Sequence, residues 1–286
     1  MPQTIHHRLH ILEAADWKAG IITLLAPGSP YRPWRYAFGE ARPGDYALVV
    51  LGTDPQSVLT VLGRFDDEAT IGGALLDVTR RHADLLELAT LASTLDLGND
   101  AFTAWRLDDD VAERVILAVH ETPVWGDPYH RYGHSSLVAA RNLLLFNGHC
   151  EICGRTVDLA AADAVDAVHV HTADVSRRPG PPSPIRSSDE DDSPTGGFAQ
   201  LRATAEDWPT VMCGDCRVDM RSAGFTSSLQ FALSRHSRCP RCDAQRSRAI
   251  VYGMPANPES WAPWLAMGGC CPGPAKSTCG ICDYEW

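Results

Sequence analysis

Apolar positions in the first 125 residues fall in short runs. Leu9 to Leu12, Ile21 to Leu25, Tyr46 to Gly52, Val58 to Leu62 and Val115 to His120 read as strands, because they are rich in Leu, Ile and Val and bounded by turn-forming residues. Ala26-Pro27-Gly28-Ser29-Pro30 and Arg42-Pro43-Gly44-Asp45 supply two of those turns. Between Leu75 and Leu91 the pattern changes: Leu75, Val78, His82, Leu85, Leu86 and Leu91 recur with charges between them, which predicts a helix. Strands around one or two helices predict an α+β chain whose residues 1–125 form a small mixed β-barrel-like domain.

Residues 129–225 read as a second unit. Ser135 or Ser136 can cap a helix carried by Leu137 to Phe146, and Asn147-Gly148 ends it. A strand is expected over Ala164 to Val175. Ser176 to Gln200 holds five prolines, repeated serines and the run Asp189-Glu190-Asp191-Asp192, the composition of a disordered insert looping out of this unit. Residues 226–286 form the third unit.

The cysteines change the picture most. None lies in the first 149 residues, whereas Cys150/Cys153, Cys213/Cys216, Cys239/Cys242 and Cys279/Cys282 repeat the spacing Cys-x-x-Cys. Two residues between thiolates let both point at one ion, and two such knuckles complete a tetrahedral four-sulfur shell. Four knuckles therefore predict two structural zinc ions, with disulfides or redox pairs as the alternative. Cys270 and Cys271 have no partner at zinc spacing and read as buried small apolar residues, or as a substitute ligand. His130, His134 and His149, near the first knuckle, read as surface or capping groups.

Charge narrows the function classes. A net charge of -11 argues against a protein coated in nucleic-acid-binding surface. Yet the segment Arg217 to Tyr252 carries Arg217, Arg221, Arg235, Arg238, Arg241, Arg246 and Arg248 against Asp219 and Asp243. These arginines are either solvated surface or contacts to phosphate. The first residues lack a seven-residue apolar run, and no stretch of eighteen apolar residues follows, so a soluble cytoplasmic protein with no membrane partner is expected.

Three resemblances add to this reading. Pro33-Trp34-Arg35, the run from Ala41 through Asp45 to Val50, and Val61-Leu62-Gly63-Arg64 resemble PUA-like and EVE-like barrels. That resemblance implies an aromatic-lined base pocket with Trp17, Trp34 and Tyr36 as its walls, whereas the residues by themselves read as ordinary core aromatics. Arg141-Asn142-Leu143-Leu144, Gly148-His149-Cys150-Glu151-Ile152-Cys153-Gly154, the strand from Ala164 to Val175, and Val211-Met212-Cys213-Gly214-Asp215-Cys216 resemble the zinc-stapled, treble-clef branch of HNH endonucleases. Cys239-Pro240-Arg241-Cys242 and Cys279-Gly280-Ile281-Cys282, followed by Tyr284 and Trp286, resemble a zinc ribbon.

The HNH resemblance implies a DNA-acting protein, such as an endonuclease of the restriction or defence kind. In that family the hairpin ends in Asp-His, whose histidine activates water beside a metal-bound phosphate. Here the place reads Thr172-Ala173-Asp174-Val175, so Asp174 is present and the base is replaced by valine. His169 and His171, two apart on the predicted strand and hence on one face, are the candidate substitutes. With Asp219, one turn into the following helix, they would hold Mg2+ or Mn2+. A catalytically inactive zinc-dependent module that binds nucleic acid, or a protein partner, is the rival reading, and the oligomeric state stays open.

Overall fold

A computed structural model describes residues 8–26, 33–35, 41, 42, 44–65, 83–121, 128–174, 207–253 and 262–286. The expected insert, Tyr36 and Leu75 to His82 lie outside the described residues.

The N-terminal part is a mixed sheet of β1 (Leu9–Ala14), β2 (Trp34–Arg35), β3 (Tyr46–Leu51), β4 (Ser57–Leu59), β5 (Gly63–Arg64) and β6 (Leu85–Glu87). β1 and β3 run parallel in the register Leu9↔Tyr46 to Ala14↔Leu51, while β2, β4, β5 and β6 join antiparallel. The strands are ordered β2-β1-β3-β4-β6, with β5 also on β3, and among the described residues the sheet does not close into the expected barrel.

Side chains along β3 alternate between two cores. Leu48 and Val50 join Leu88 and Leu91 of α2 (Leu88–Thr94) and Val115 and Val119 of α3 (Asp109–Glu121). Val49 and Leu51 join Ile21 and Ile22 of α1 (Trp17–Leu25), and Leu137, Ala140 and Leu143 of α4 (Ser136–Leu144). A sheet covered on both faces has no wet side, which is why its central strand is a continuous apolar run.

Three expectations are corrected here. Ile21 to Leu25, read as a strand, belongs to α1, because Asp16 caps a helix there by accepting from the amides of Lys18 and Ala19. Val115 to His120, also read as a strand, belongs to α3, whose buried Ala112, Val115 and Val119 mark one helical face. The helix expected up to Leu91 is, where described, strand β6 followed by α2: Leu85 to Glu87 pair with β4, and only then does the chain coil.

Core packing runs on without a break into the second half of the chain. α4 lies on the sheet, and Arg141 reaches from it to donate two hydrogen bonds to the Leu85 carbonyl, at 3.1 and 2.8 Å. Ala164, Val168 and Val211 complete the same apolar cluster. They belong to α5 (Ala164–Ala167), β7 (Val168–His171) and β8 (Thr210–Cys213), and β7 and β8 form an antiparallel pair. The strand expected from Ala164 to Val175 is thus a helical turn followed by four residues of strand. α6 (Gly214–Ser222) and α7 (Ser228–Ser234) follow β8, and the chain ends in a three-stranded sheet of β9 (Ser247–Val251), β10 (Leu265–Met267) and β11 (Ser277–Cys279), ordered β10-β9-β11. Among the described residues no helix is long and apolar enough to cross a membrane.

Candidate metal centres

The eight paired cysteines assemble into two groups of four. Cys150, Cys153, Cys213 and Cys216 have their sulfur atoms within 4.8 Å of one another, as do Cys239, Cys242, Cys279 and Cys282. A tetrahedral zinc with Zn–S bonds of about 2.3 Å sets its sulfurs about 3.8 Å apart. The observed Cys153–Cys213, Cys239–Cys282 and Cys242–Cys279 sulfur separations are 3.9, 3.7 and 3.6 Å. No disulfide links any of these cysteines. A disulfide needs about 2.05 Å between sulfurs, so the spacing fits a metal and excludes covalent pairing. Each group could hold one zinc ion.

Local backbone geometry explains why the knuckles form. After Cys150, Cys239 and Cys279, the fourth residue on adopts positive φ: Gly154 at 71°, Asp243 at 55° and Asp283 at 52°. In each, that residue's amide donates to the first cysteine's carbonyl, and the first cysteine's amide donates to the next carbonyl, of Arg155, Ala244 or Tyr284. The chain folds back around the two sulfurs, and Gly or Asp tolerates the left-handed turn. The Cys213–Cys216 pair is built differently. Cys213 ends β8 and caps α6, so a strand-to-helix junction delivers both thiols, and its amide donates to Cys150 Sγ at 3.3 Å.

Around the first group, Met212, Met220 and Phe231 form an apolar shell with the half-buried Ile152, Val157 and Phe225. Glu151 ties the first knuckle to β8, its carboxylate accepting from the Val211 amide at 2.7 Å. Burial pushes the Glu151 carboxyl above its ordinary range, opposed by that hydrogen bond and by Arg131. Burial likewise raises the Cys150 and Cys216 thiols, and the neighbouring cysteines add to the rise at Cys216. Cys270 and Cys271 join neither group and are exposed, not buried as expected.

The residues proposed for catalysis are not brought into one ligand set. Arg217, the residue after Cys216, donates from Nη1 to Nδ1 of His169 at 2.8 Å. Burial, then Arg217, Lys18 and Arg221, depress His169 to about 4, which leaves it neutral. His171 donates from Nε2 to Oδ2 of Asp207 at 2.6 Å. Asp174 is exposed, and Asp219 pairs with Arg235 at 3.2 Å. Among the described residues, no third group of His, Cys, Asp or Glu converges as a metal site. His130, His134 and His149 lie outside both sulfur groups; His134 and His149 meet Thr172 and Thr156, and His130 meets Asp84.

Asp207 is the residue that sequence reasoning missed. Besides His171 it accepts from the Ser228 amide at 2.8 Å and the Ser227 hydroxyl at 3.0 Å, which fastens α7 to β7. Burial would raise its carboxyl, yet the His171 hydrogen bond and charge outweigh that and hold it below the ordinary value. Trp17 and Trp34, half-buried, pack against the apolar cluster beneath α1.

The arginine-rich segment is not a uniform face. Arg235 and Arg238 spend their charge on Asp219 and Asp243, and Arg246 donates to Gln230. Arg221 and Arg241 are exposed and have no carboxylate partner among the described residues. No protein-family model, no curated protein and no solved structure matches the chain.

Proposed function

We propose that this chain is a zinc-dependent DNA-binding protein: β7, β8 and α6, stapled by the first sulfur group, form an HNH-like treble-clef unit, and the second group forms a zinc ribbon. The unit grips nucleic acid and does not cut it. The observation that carries this reading is the Arg217–His169 hydrogen bond. It puts a guanidinium on the His169 ring, which the sequence offers as a ligand of a catalytic ion, and a cation there repels Mg2+ or Mn2+ while attracting phosphate.

One observation favours the rival, an active HNH-like endonuclease. His171 is oriented by a carboxylate, Asp207, as a general base is in hydrolytic enzymes, and its Nδ1 has no bond to another described group. Incubating the zinc-loaded protein with plain and modified duplex DNA in Mg2+ or Mn2+, beside His169→Ala/His171→Ala, separates the two. Salt-sensitive binding with intact strands is the expected result. Cleavage that disappears in the double variant would establish the endonuclease, and neither binding nor cleavage would leave a scaffold for a protein partner.

A further inference from the structure

Three cationic side chains act together on the His169 ring, and no described carboxylate forms an ion pair with any of them. Lys18, the second residue of α1, sends its ammonium to the carbonyl of Val165, in the helical turn that leads into β7. Arg217 is held on His169 from α6. Arg221 is one turn further along α6, on the same flank, and is exposed. Each of the three lowers the proton affinity of His169, and Arg217 also opposes the charge on Lys18, so their fields overlap.

Two nearby acids, Asp166 and Asp16, offset part of the charge on Lys18 without pairing with it. Asp16 uses its carboxylate to cap α1 through the amides of Lys18 and Ala19. Asp166 is exposed and acts on Lys18 and His169 only through space. No described carboxylate oxygen lies within ion-pair distance of Lys18, Arg217 or Arg221. Gathering three cations that pair with no described carboxylate costs Coulomb energy. On a chain of net charge -11, carboxylates for the purpose are plentiful.

We propose that Lys18, Arg217 and Arg221 form a phosphate-binding site, with the His169 ring fixing the Arg217 guanidinium through its hydrogen bond. Arg217 gives His169 one of its five N–H donors and keeps four for oxygen, which suits a tetrahedral oxyanion with several acceptors. Lys18 belongs to α1 on the N-terminal sheet and the arginines to the zinc-stapled helix, so the anion bridges both halves of the molecule. The phosphodiester as source rests on the DNA-binding reading above; a free phosphate or a phosphorylated small molecule offers the same chemistry.

The test uses the full zinc-loaded chain with Arg221→Gln and Lys18→Gln. Arg221 is exposed and its side chain has no hydrogen bond or ion pair among the described residues, and two zinc ions per chain verify both variants. In the first arm, duplex DNA affinity is followed against salt; each variant is expected to flatten the log–log slope by about 0.9, the share of one phosphate contact. In the second arm, inorganic phosphate is titrated while the His169 ring resonances are watched; a saturable shift is expected in the native chain and not in the variants. Native slopes in both variants, with no phosphate-induced shift, would overturn the site while leaving DNA binding intact. A phosphate-induced shift lost in the variants, without duplex binding by the native chain, would uphold the site and overturn the DNA reading. Neither duplex binding nor a shift would overturn both.

Discussion

Replacing Asp207 tests how the two halves of the zinc region are held together. Its carboxylate is one-fifth exposed and makes four short contacts, to His171 Nε2 at 2.6 Å, the Ser228 and Trp208 amides at 2.8 Å each and the Ser227 hydroxyl at 3.0 Å. Hydrogen bonds to a charged group contribute about 1.5 to 3 kcal/mol each, but water partly replaces them at a site of this exposure. Asp207→Ala should therefore destabilise the protein by about 3 kcal/mol, while Asp207→Asn, which keeps an oxygen for Ser228 and loses the charge facing His171, should cost about 1 to 2 kcal/mol. Urea unfolding of the zinc-loaded protein measures both, and a cycle with His171→Ala isolates the pair, with a coupling of about 1 to 2 kcal/mol expected. Because the carboxyl is held below its ordinary value, its contribution is complete above about pH 4 and is lost as pH falls through the lower folded value. The native protein should thus lose more stability than Asp207→Asn over that acid range. A loss below about 0.5 kcal/mol in Asp207→Ala, or zero coupling to His171, would refute the claim that this contact fastens α7 to β7.

Zinc uptake by the metal-free protein should release protons, because burial keeps the Cys150 and Cys216 thiols protonated at neutral pH; affinity should then fall as pH falls, and calorimetry in buffers of different ionisation enthalpy measures the release. Cys153→Ser and Cys242→Ser should each remove one of two zinc ions per chain by native mass spectrometry, whereas Cys270→Ser/Cys271→Ser should keep both. His169 should titrate near 4 by NMR, and Arg217→Gln should move that midpoint upward, since the second-largest cause after burial is removed; an unmoved midpoint would contradict the contact. Asp45→Ala should cost about 3 kcal/mol, because it strands the buried His10, whose Nε2 donates to Asp45 at 3.0 Å.

How much of the fold was legible depended on what each pattern could resolve. β1 and β3 were readable as apolar runs, but a run of β-branched residues carries no period, so Ile21-Ile22 and Val115-Ile116 looked like strands as well. The deciding marks were polar: Asp16, which caps α1, and Asp108, whose carbonyl accepts from Ala112 at the start of α3. That the described strands do not close could not be read from composition, because closure depends on which edges pair, and β2 and β6 are far apart in the strand order.

The site divides the same way, along the line between local and distant contacts. The knuckles are local, so spacing alone picked out all eight cysteines. Gly154, Asp243 and Asp283, four residues after Cys150, Cys239 and Cys279, were a further sign available in the sequence. The groups that decide between a metal-bearing and a phosphate-bearing cleft are distant. Lys18 meets Val165 across 147 positions, and Asp207 meets His171 across 36, beyond the expected insert. His169 and His171 were correctly placed on one strand, but strand position says nothing about what faces each ring. One faces a guanidinium and the other a carboxylate. Two histidines with opposite neighbours cannot serve one cation equally, so the pair that suggested a divalent-metal site now argues for separate tasks: His171 as an anchor for Asp207, and His169 as a brace for Arg217.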